Sequence, residues 1–99
     1  MTADITPQEL KERLEKGETL FVLDVREVHE FEEDNLKGKL IPLGELPSRL
    51  SEIEQWKEKE LIVHCRSGAR SATAKKYLES QGFTQVRNLL EGILGYRKV

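Results

Sequence analysis

Two apolar runs constrain this chain most. Residues 19–26 read Thr-Leu-Phe-Val-Leu-Asp-Val-Arg and residues 61–65 read Leu-Ile-Val-His-Cys. Neither alternates apolar with polar, as a strand with one wet face would. An unbroken run of β-favouring residues belongs to a strand covered on both sides. The segments around these runs have helical spacing. Thr6-Pro7-Gln8-Glu9 signals a helix start: Thr6 caps, Pro7 suits the first position and Glu9 completes a capping box. Leu10 and Leu14 follow on one stripe, and Gly17 is the stop. Residues 27–38 predict a short acidic helix and a loop. Residues 40–43 predict a short strand, placed at an edge or terminus by Pro42. Residues 44–56 predict a helix with Leu46, Leu50, Ile53 and Trp56 inward. Residues 69–82 predict another, with Ala72, Tyr77 and Leu78 inward and Gly82 ending it. A last strand over 83–89 and a closing helix over 92–99 complete the pattern. Strands that alternate with helices make an α/β domain around a mainly parallel sheet.

The 99 residues read as one domain spanning 1–99. With 37% hydrophobic and 34% charged residues the chain is globular and soluble, not disordered. No apolar run approaches the ~20 residues that span a bilayer, and the first residues lack the basic and apolar parts of a secretory signal. One cysteine closes no internal disulfide, which suits a reducing compartment, so a cytoplasmic location is expected. The net charge of −2 conceals an asymmetry: residues 1–61 hold 9 Lys/Arg against 16 Asp/Glu, and residues 62–99 hold 7 against 2. Either the cationic half marks an anion-binding site, or folding mixes the halves and cancels them. The basic residues are too dispersed for a nucleic-acid module. His29, His64 and a single cysteine make no metal-binding pattern, and neither a metal nor another cofactor is expected. The oligomeric state is open.

In parallel sheets ligands bind beyond the carboxyl ends of the strands. Two such ends carry polar chemistry here, Asp24-Val25-Arg26 and Cys65-Arg66-Ser67-Gly68-Ala69-Arg70-Ser71. If the two strands are neighbours, both groups line one crevice. A strand that ends in Cys65 and passes through Gly68 into a helix turns several backbone N–H groups toward one point. The helix adds its own unpaired N–H groups and its positive end. Such a cradle binds anions, and a cysteine inside it is expected to have a lowered pKa. Arg66 and Arg70 add charge or forked hydrogen bonds at the rim, with Arg66 on the open side. Ser67 and Ser71 either donate to bound sulfur or cap the helix, with capping expected of Ser71. The competing reading makes Cys65 a small buried hydrophobe. His64, next to Cys65 on a strand, faces the other way and reads as a packed core histidine.

Asp24-Val25-Arg26, Phe31-Glu32-Glu33, Ile41-Pro42-Leu43, the stretch from Leu61 to Phe83 and Val86-Arg87-Asn88-Leu89-Leu90-Glu91-Gly92-Ile93 together resemble single-domain rhodaneses, nearly end to end. The Cys-Arg-Ser-Gly-x-Arg-Ser core, residues 65–71, is the specific part. The resemblance implies a five-stranded mainly parallel sheet with helices on both faces. It also implies a sulfurtransferase whose Cys65 cycles through a persulfide. Sulfur would come from a small anionic donor such as thiosulfate and pass to a thiol, cyanide or a protein acceptor, with Asp24 and Arg26 supporting the loop. A persulfide carrier serving a partner enzyme, and a non-catalytic binding module, are the alternatives. Cysteine phosphatases place five residues between Cys and Arg; here four separate Cys65 from Arg70, and Ser71 stands where their arginine would be. The chain departs from the family pattern at Asn35, at Glu91 in place of a common glycine, and at Tyr96 in place of a common tryptophan.

Overall fold

The computed structural model describes residues 2–99. Strands β1 (Phe21–Asp24), β2 (Lys39–Leu40), β3 (Glu60–His64) and β4 (Gln85–Asn88) form a parallel sheet in the order β2-β1-β3-β4. Helices α1 (Pro7–Glu15), α2 (Val28–Glu33), α3 (Leu46–Arg49), α4 (Ala69–Ser80) and α5 (Gly92–Tyr96) connect and cover it.

Period two along the strands explains the unbroken apolar runs. Leu23, Leu61 and Val63 face a cluster that contains Leu46 of α3 and Ala74 and Leu78 of α4. Val22 and Ile62 face the other side, with Ile5, Leu89 and Leu10 of α1, and with Tyr96 of α5 packed against them. Each run is therefore apolar on both faces because helices lie on both faces.

The sheet has four strands among the described residues, not five. The place beyond β4 is held by a single residue, Ile5, in a parallel bridge to Leu89. Its N–H donates to the Asn88 carbonyl at 3.0 Å, and its own carbonyl accepts from the Leu90 N–H at 2.9 Å. The pairing stops there because Thr6 caps α1, with its hydroxyl accepting the Glu9 N–H at 3.1 Å, and Pro7 has no N–H to extend a ladder. Only half of the predicted capping box forms; the Glu9 carboxylate bonds Arg87 instead.

The single helix expected over 44–56 is broken. A 3₁₀ turn at Leu43–Glu45 leads into α3, and a 3₁₀ stretch at Leu50–Trp56 follows, interrupted at Ile53. Pro47 near the start of α3 re-initiates the helix. Leu46 and Ile53 are still buried, while Leu50 and Trp56 are half-buried. In α4 the innermost alanine is Ala74, not Ala72, and Ser71 and Lys75 are buried beside it. Lys75 covers apolar surface with its stem and ends on Asp4 at 2.6 Å and the Thr2 carbonyl at 2.7 Å.

Two consequences matter for function. β1 and β3 are neighbours, with Asp24 opposite His64, so both polar strand ends open into one crevice. Among the described residues no helix is long and apolar enough to cross a membrane.

Ile62, fully buried at the centre of the sheet, tests the two-sided core. Ile62→Ala is expected to lower the unfolding free energy by about 3 kcal/mol, and Ile62→Val by about 1 kcal/mol, in urea titrations.

Candidate active site

β3 ends at His64, and the chain then runs through Cys65-Arg66-Ser67-Gly68 into α4. Gly68 has φ +111°, a left-handed conformation that glycine adopts without strain. That turn aims the Gly68 N–H at Cys65 Sγ, 3.0 Å away. The Ser71 hydroxyl, two residues into α4, lies 3.3 Å from the same sulfur. Ser71 is therefore no helix cap; Gly68 holds the cap position and has no side chain to cap with. Cys65 itself is only 1% exposed. Burial pushes its thiol up, but the Ser71 hydroxyl and the N–H groups of Ser71, Gly68 and Ser67 outweigh burial, and the thiol ends below its ordinary value.

The loop amides face inward because its first carbonyls are taken from outside. The Ile93 N–H donates to the Cys65 carbonyl at 3.0 Å, and the Leu94 N–H to the Arg66 carbonyl at 3.2 Å. This contact needs a very close approach. A Cβ on Gly92, whose φ is +59°, would sit 2.3 Å from the Arg66 oxygen and 2.7 Å from the Cys65 oxygen. The departure at Glu91 also acquires a structure: Glu91 has φ +63°, a left-handed position held by a non-glycine residue at a cost of about 1 kcal/mol.

Asp24 accepts from the Arg26 guanidinium at 2.8–3.2 Å and from the Arg26 N–H at 2.9 Å, with both residues buried. Arg26 then reaches the carbonyls of Glu30 at 3.3 Å and Asp34 at 2.7 Å. It thereby ties α2 to the end of β1. α2 in turn holds the loop: Glu30 takes both arms of Arg70, at 2.7 and 2.9 Å. The Arg70 fork is thus spent on Glu30 rather than aimed at the sulfur. Arg70 holds the Glu30 carboxyl at about 2, well below its ordinary 4.5, against the upward push of burial.

Arg66 is exposed and makes no ion pair among the described residues. It borders a groove of about 160 Å³ with Arg26, Glu30, Glu33, Asp34 and Leu94. Ser67 and Ala69 are exposed on the same loop. A larger cavity of about 780 Å³ lies at the amino ends of β1 and β2, between Leu14, Phe21, Gly38 and Trp56, away from Cys65. Folding also mixes the charge halves. Asp4 meets Lys75, Glu9 and Glu60 meet Arg87, and Asp34 meets Arg97. His64 is fully buried, with Nε2 3.6 Å from Asp24 and neither ring nitrogen hydrogen-bonded. Burial depresses its pKa against the pull of Asp24, so the imidazole is neutral and serves packing.

The profile of the rhodanese-like domain matches residues 6–98. The chain belongs to the rhodanese-like domain family. A sulfurtransferase of Allochromatium vinosum is 34% identical over 99 residues, covering 99% of this chain and 91% of that protein. The putative sulfur carrier protein YrkF of Bacillus subtilis is 35% identical over 91 residues; the match covers 91% of this chain and 48% of YrkF, so this rhodanese-like chain spans about half the length of that relative. The crystal structure of a rhodanese-like domain protein from Staphylococcus aureus superposes with a TM-score of 0.85 at 30% identity, covering 97% of this chain and 91% of that one.

Three site residues escaped the sequence. Glu30 is 40 residues from the Arg70 it binds. Gly92 and Asn88 meet the loop only because β4 lies beside β3. Asn88 sits behind the loop, with Oδ1 2.5 Å from the Ser71 hydroxyl and Nδ2 3.2 Å from the Gly68 carbonyl.

Gly92→Ala is expected to destabilise the fold by more than about 2 kcal/mol and to return Cys65 toward ordinary thiol reactivity in alkylation rates. Glu91→Gly is expected to stabilise by about 1 kcal/mol. For Glu30 the folded-state pKa is depressed, so its stabilisation is complete above the unfolded value near 4.5 and is lost as pH falls through about 2. The stability gap between wild type and Glu30→Gln, from denaturant titrations, should hold constant above that window and close toward its lower end.

Proposed function

We propose that the protein is a sulfurtransferase that carries sulfane sulfur as a persulfide on Cys65. The observation that carries this reading is the sulfur itself: buried at the end of β3, bonded by the Gly68 N–H at 3.0 Å and within 3.3 Å of the Ser71 hydroxyl. Donors converging on a thiol favour its anion, and they favour an added terminal sulfur anion equally. The similarity to a named sulfurtransferase over 99% of the chain supports it.

The steps are two displacements at sulfur. The Cys65 thiolate attacks the outer sulfur of thiosulfate. The sulfur–sulfur bond breaks, its electron pair leaves with sulfite, and a Cys65 persulfide anion remains. Sulfite is already a stable anion, so the step needs no general acid, which agrees with a site whose one nearby imidazole, His64, is buried and neutral. Arg66 is the cation free to meet the incoming anion. The loop amides of residues 66–71 hold the terminal sulfur. An acceptor thiolate or cyanide then attacks that sulfur and releases the Cys65 thiolate. The chain has one cysteine, so discharge goes to an external acceptor.

A second reading, a persulfide carrier that hands sulfur to a partner protein with little thiosulfate turnover, is supported by the likeness to YrkF, named a putative sulfur carrier. Intact-protein mass spectrometry after mixing reduced protein with thiosulfate tests the shared chemistry. Wild type is expected to gain one sulfur, about 32 Da, removable by cyanide, with none gained by Cys65→Ser. Steady turnover of thiosulfate and cyanide supports the enzyme; stoichiometric loading without turnover supports the carrier. No gain in wild type overturns the thiosulfate reading.

A further inference from the structure

The Ser71 hydroxyl has one proton and three acceptors in reach. Asn88 Oδ1 lies at 2.5 Å, the Gly68 carbonyl at 3.2 Å and Cys65 Sγ at 3.3 Å. The shortest contact belongs to a residue that never touches the sulfur. Asn88 uses its other side-chain atom as well: Nδ2 donates to the Gly68 carbonyl at 3.2 Å. It therefore touches the Ser71 hydroxyl beside Cys65 and the Gly68 carbonyl, which the Ala72 N–H also holds at 3.0 Å.

Asn88 is itself held rigidly. It is buried, and its backbone N–H donates to Asp4 Oδ1 at 3.0 Å, whose other partner is Lys75 Nζ at 2.6 Å. Its carbonyl accepts from the Ile5 N–H at 3.0 Å. β4 and the amino-terminal segment thus fix the amide, and the amide fixes the loop. The orientation of its oxygen and nitrogen follows from the two partners: a carbonyl at Gly68 can only accept, so Nδ2 faces it and Oδ1 faces Ser71.

We infer that Asn88 is a positioning residue for the Cys65 sulfur, setting its acidity by holding the Ser71 hydroxyl and competing with the sulfur for its one proton. The inference rests on the reading of Cys65 as the sulfur nucleophile. Without Asn88 the Ser71 proton keeps only the Gly68 carbonyl at 3.2 Å and the sulfur at 3.3 Å as acceptors, so more of it goes to the sulfur. The other charged groups around the loop stay in place: Arg70 remains paired with Glu30, Arg66 remains exposed, and the neutral His64 remains in the core.

The test is the pH dependence of Cys65 alkylation by iodoacetamide, measured without any sulfur donor, for wild type, Asn88→Ala, Ser71→Ala and the double variant. Ser71→Ala is expected to raise the midpoint, and Asn88→Ala to lower it by about one pH unit, a tenfold gain of thiolate at fixed pH below it. Its far-ultraviolet circular dichroism should stay that of wild type. Because Asn88 acts through Ser71, adding Asn88→Ala to Ser71→Ala should shift the midpoint no further. Asn88→Leu keeps the volume, carries no charge and cannot accept from Ser71, so its midpoint should fall as that of Asn88→Ala does; it carries the test if Asn88→Ala fails to fold. A folded Asn88 variant whose profile overlays wild type overturns the inference and leaves the sulfurtransferase reading intact. A wild-type Cys65 that resists alkylation at every pH overturns both.

Discussion

The carbonyls of Cys65 and Arg66 are held from outside by the N–H groups of Ile93 and Leu94, and the rest of the site depends on that. A peptide whose oxygen is fixed on one side presents its N–H to the other. The crossing is so tight that only a glycine at position 92 admits it, since a Cβ there would overlap the Arg66 oxygen at 2.3 Å. Gly68 supplies the second constraint, a left-handed turn that brings its own N–H onto Sγ. A thiol placed in this ring is acidified by fixed dipoles rather than by a neighbouring cation. The one arginine of the loop with a fixed orientation, Arg70, is engaged by Glu30.

A relay of polar contacts carries rigidity to that ring from the sheet. Asp24 at the end of β1 holds Arg26, Arg26 holds the carbonyls of α2, and α2 presents Glu30 to Arg70 at the start of α4. From the other side, Lys75 and Asp4 hold Asn88, which holds Gly68 and Ser71. Both routes are buried or half-buried, where hydrogen bonds are well ordered and a missing partner is costly. The consequence for charge is specific. Acidic groups from the first half of the chain pair with Arg70, Lys75, Arg87 and Arg97 of the second, and Arg66 is left exposed on the loop.

Several elements were legible in the residues alone. The apolar runs at 19–26 and 61–65 predict strands covered on both faces, and β1 and β3 are the two central strands of the sheet. Thr6 and Pro7 mark the start of α1 to the residue. Where expectation and structure part, tertiary contacts are the cause. A fifth strand shrinks to the Ile5–Leu89 bridge because Pro7 ends the ladder. The side chain of Ser71, expected to cap α4, turns onto Cys65 and Asn88 instead. The Arg70 fork, expected at the rim, meets a carboxylate that no local spacing could have placed there.

Sequence alone determined the alternation of strands and helices, the position of Cys65 at a strand end, and the glycine that turns the loop. These rest on properties within a few residues of each other: side-chain period, φ freedom, the missing N–H of proline. Only the tertiary structure decided which groups surround the sulfur. Glu30, Asn88 and Gly92 come from three segments far along the chain, and they reach the loop because α2 follows β1, β4 pairs with β3, and α5 returns across the loop. The acidity of one thiol is a property of that convergence. It depends on distances of about 3 Å between atoms that sequence separates by up to several tens of residues.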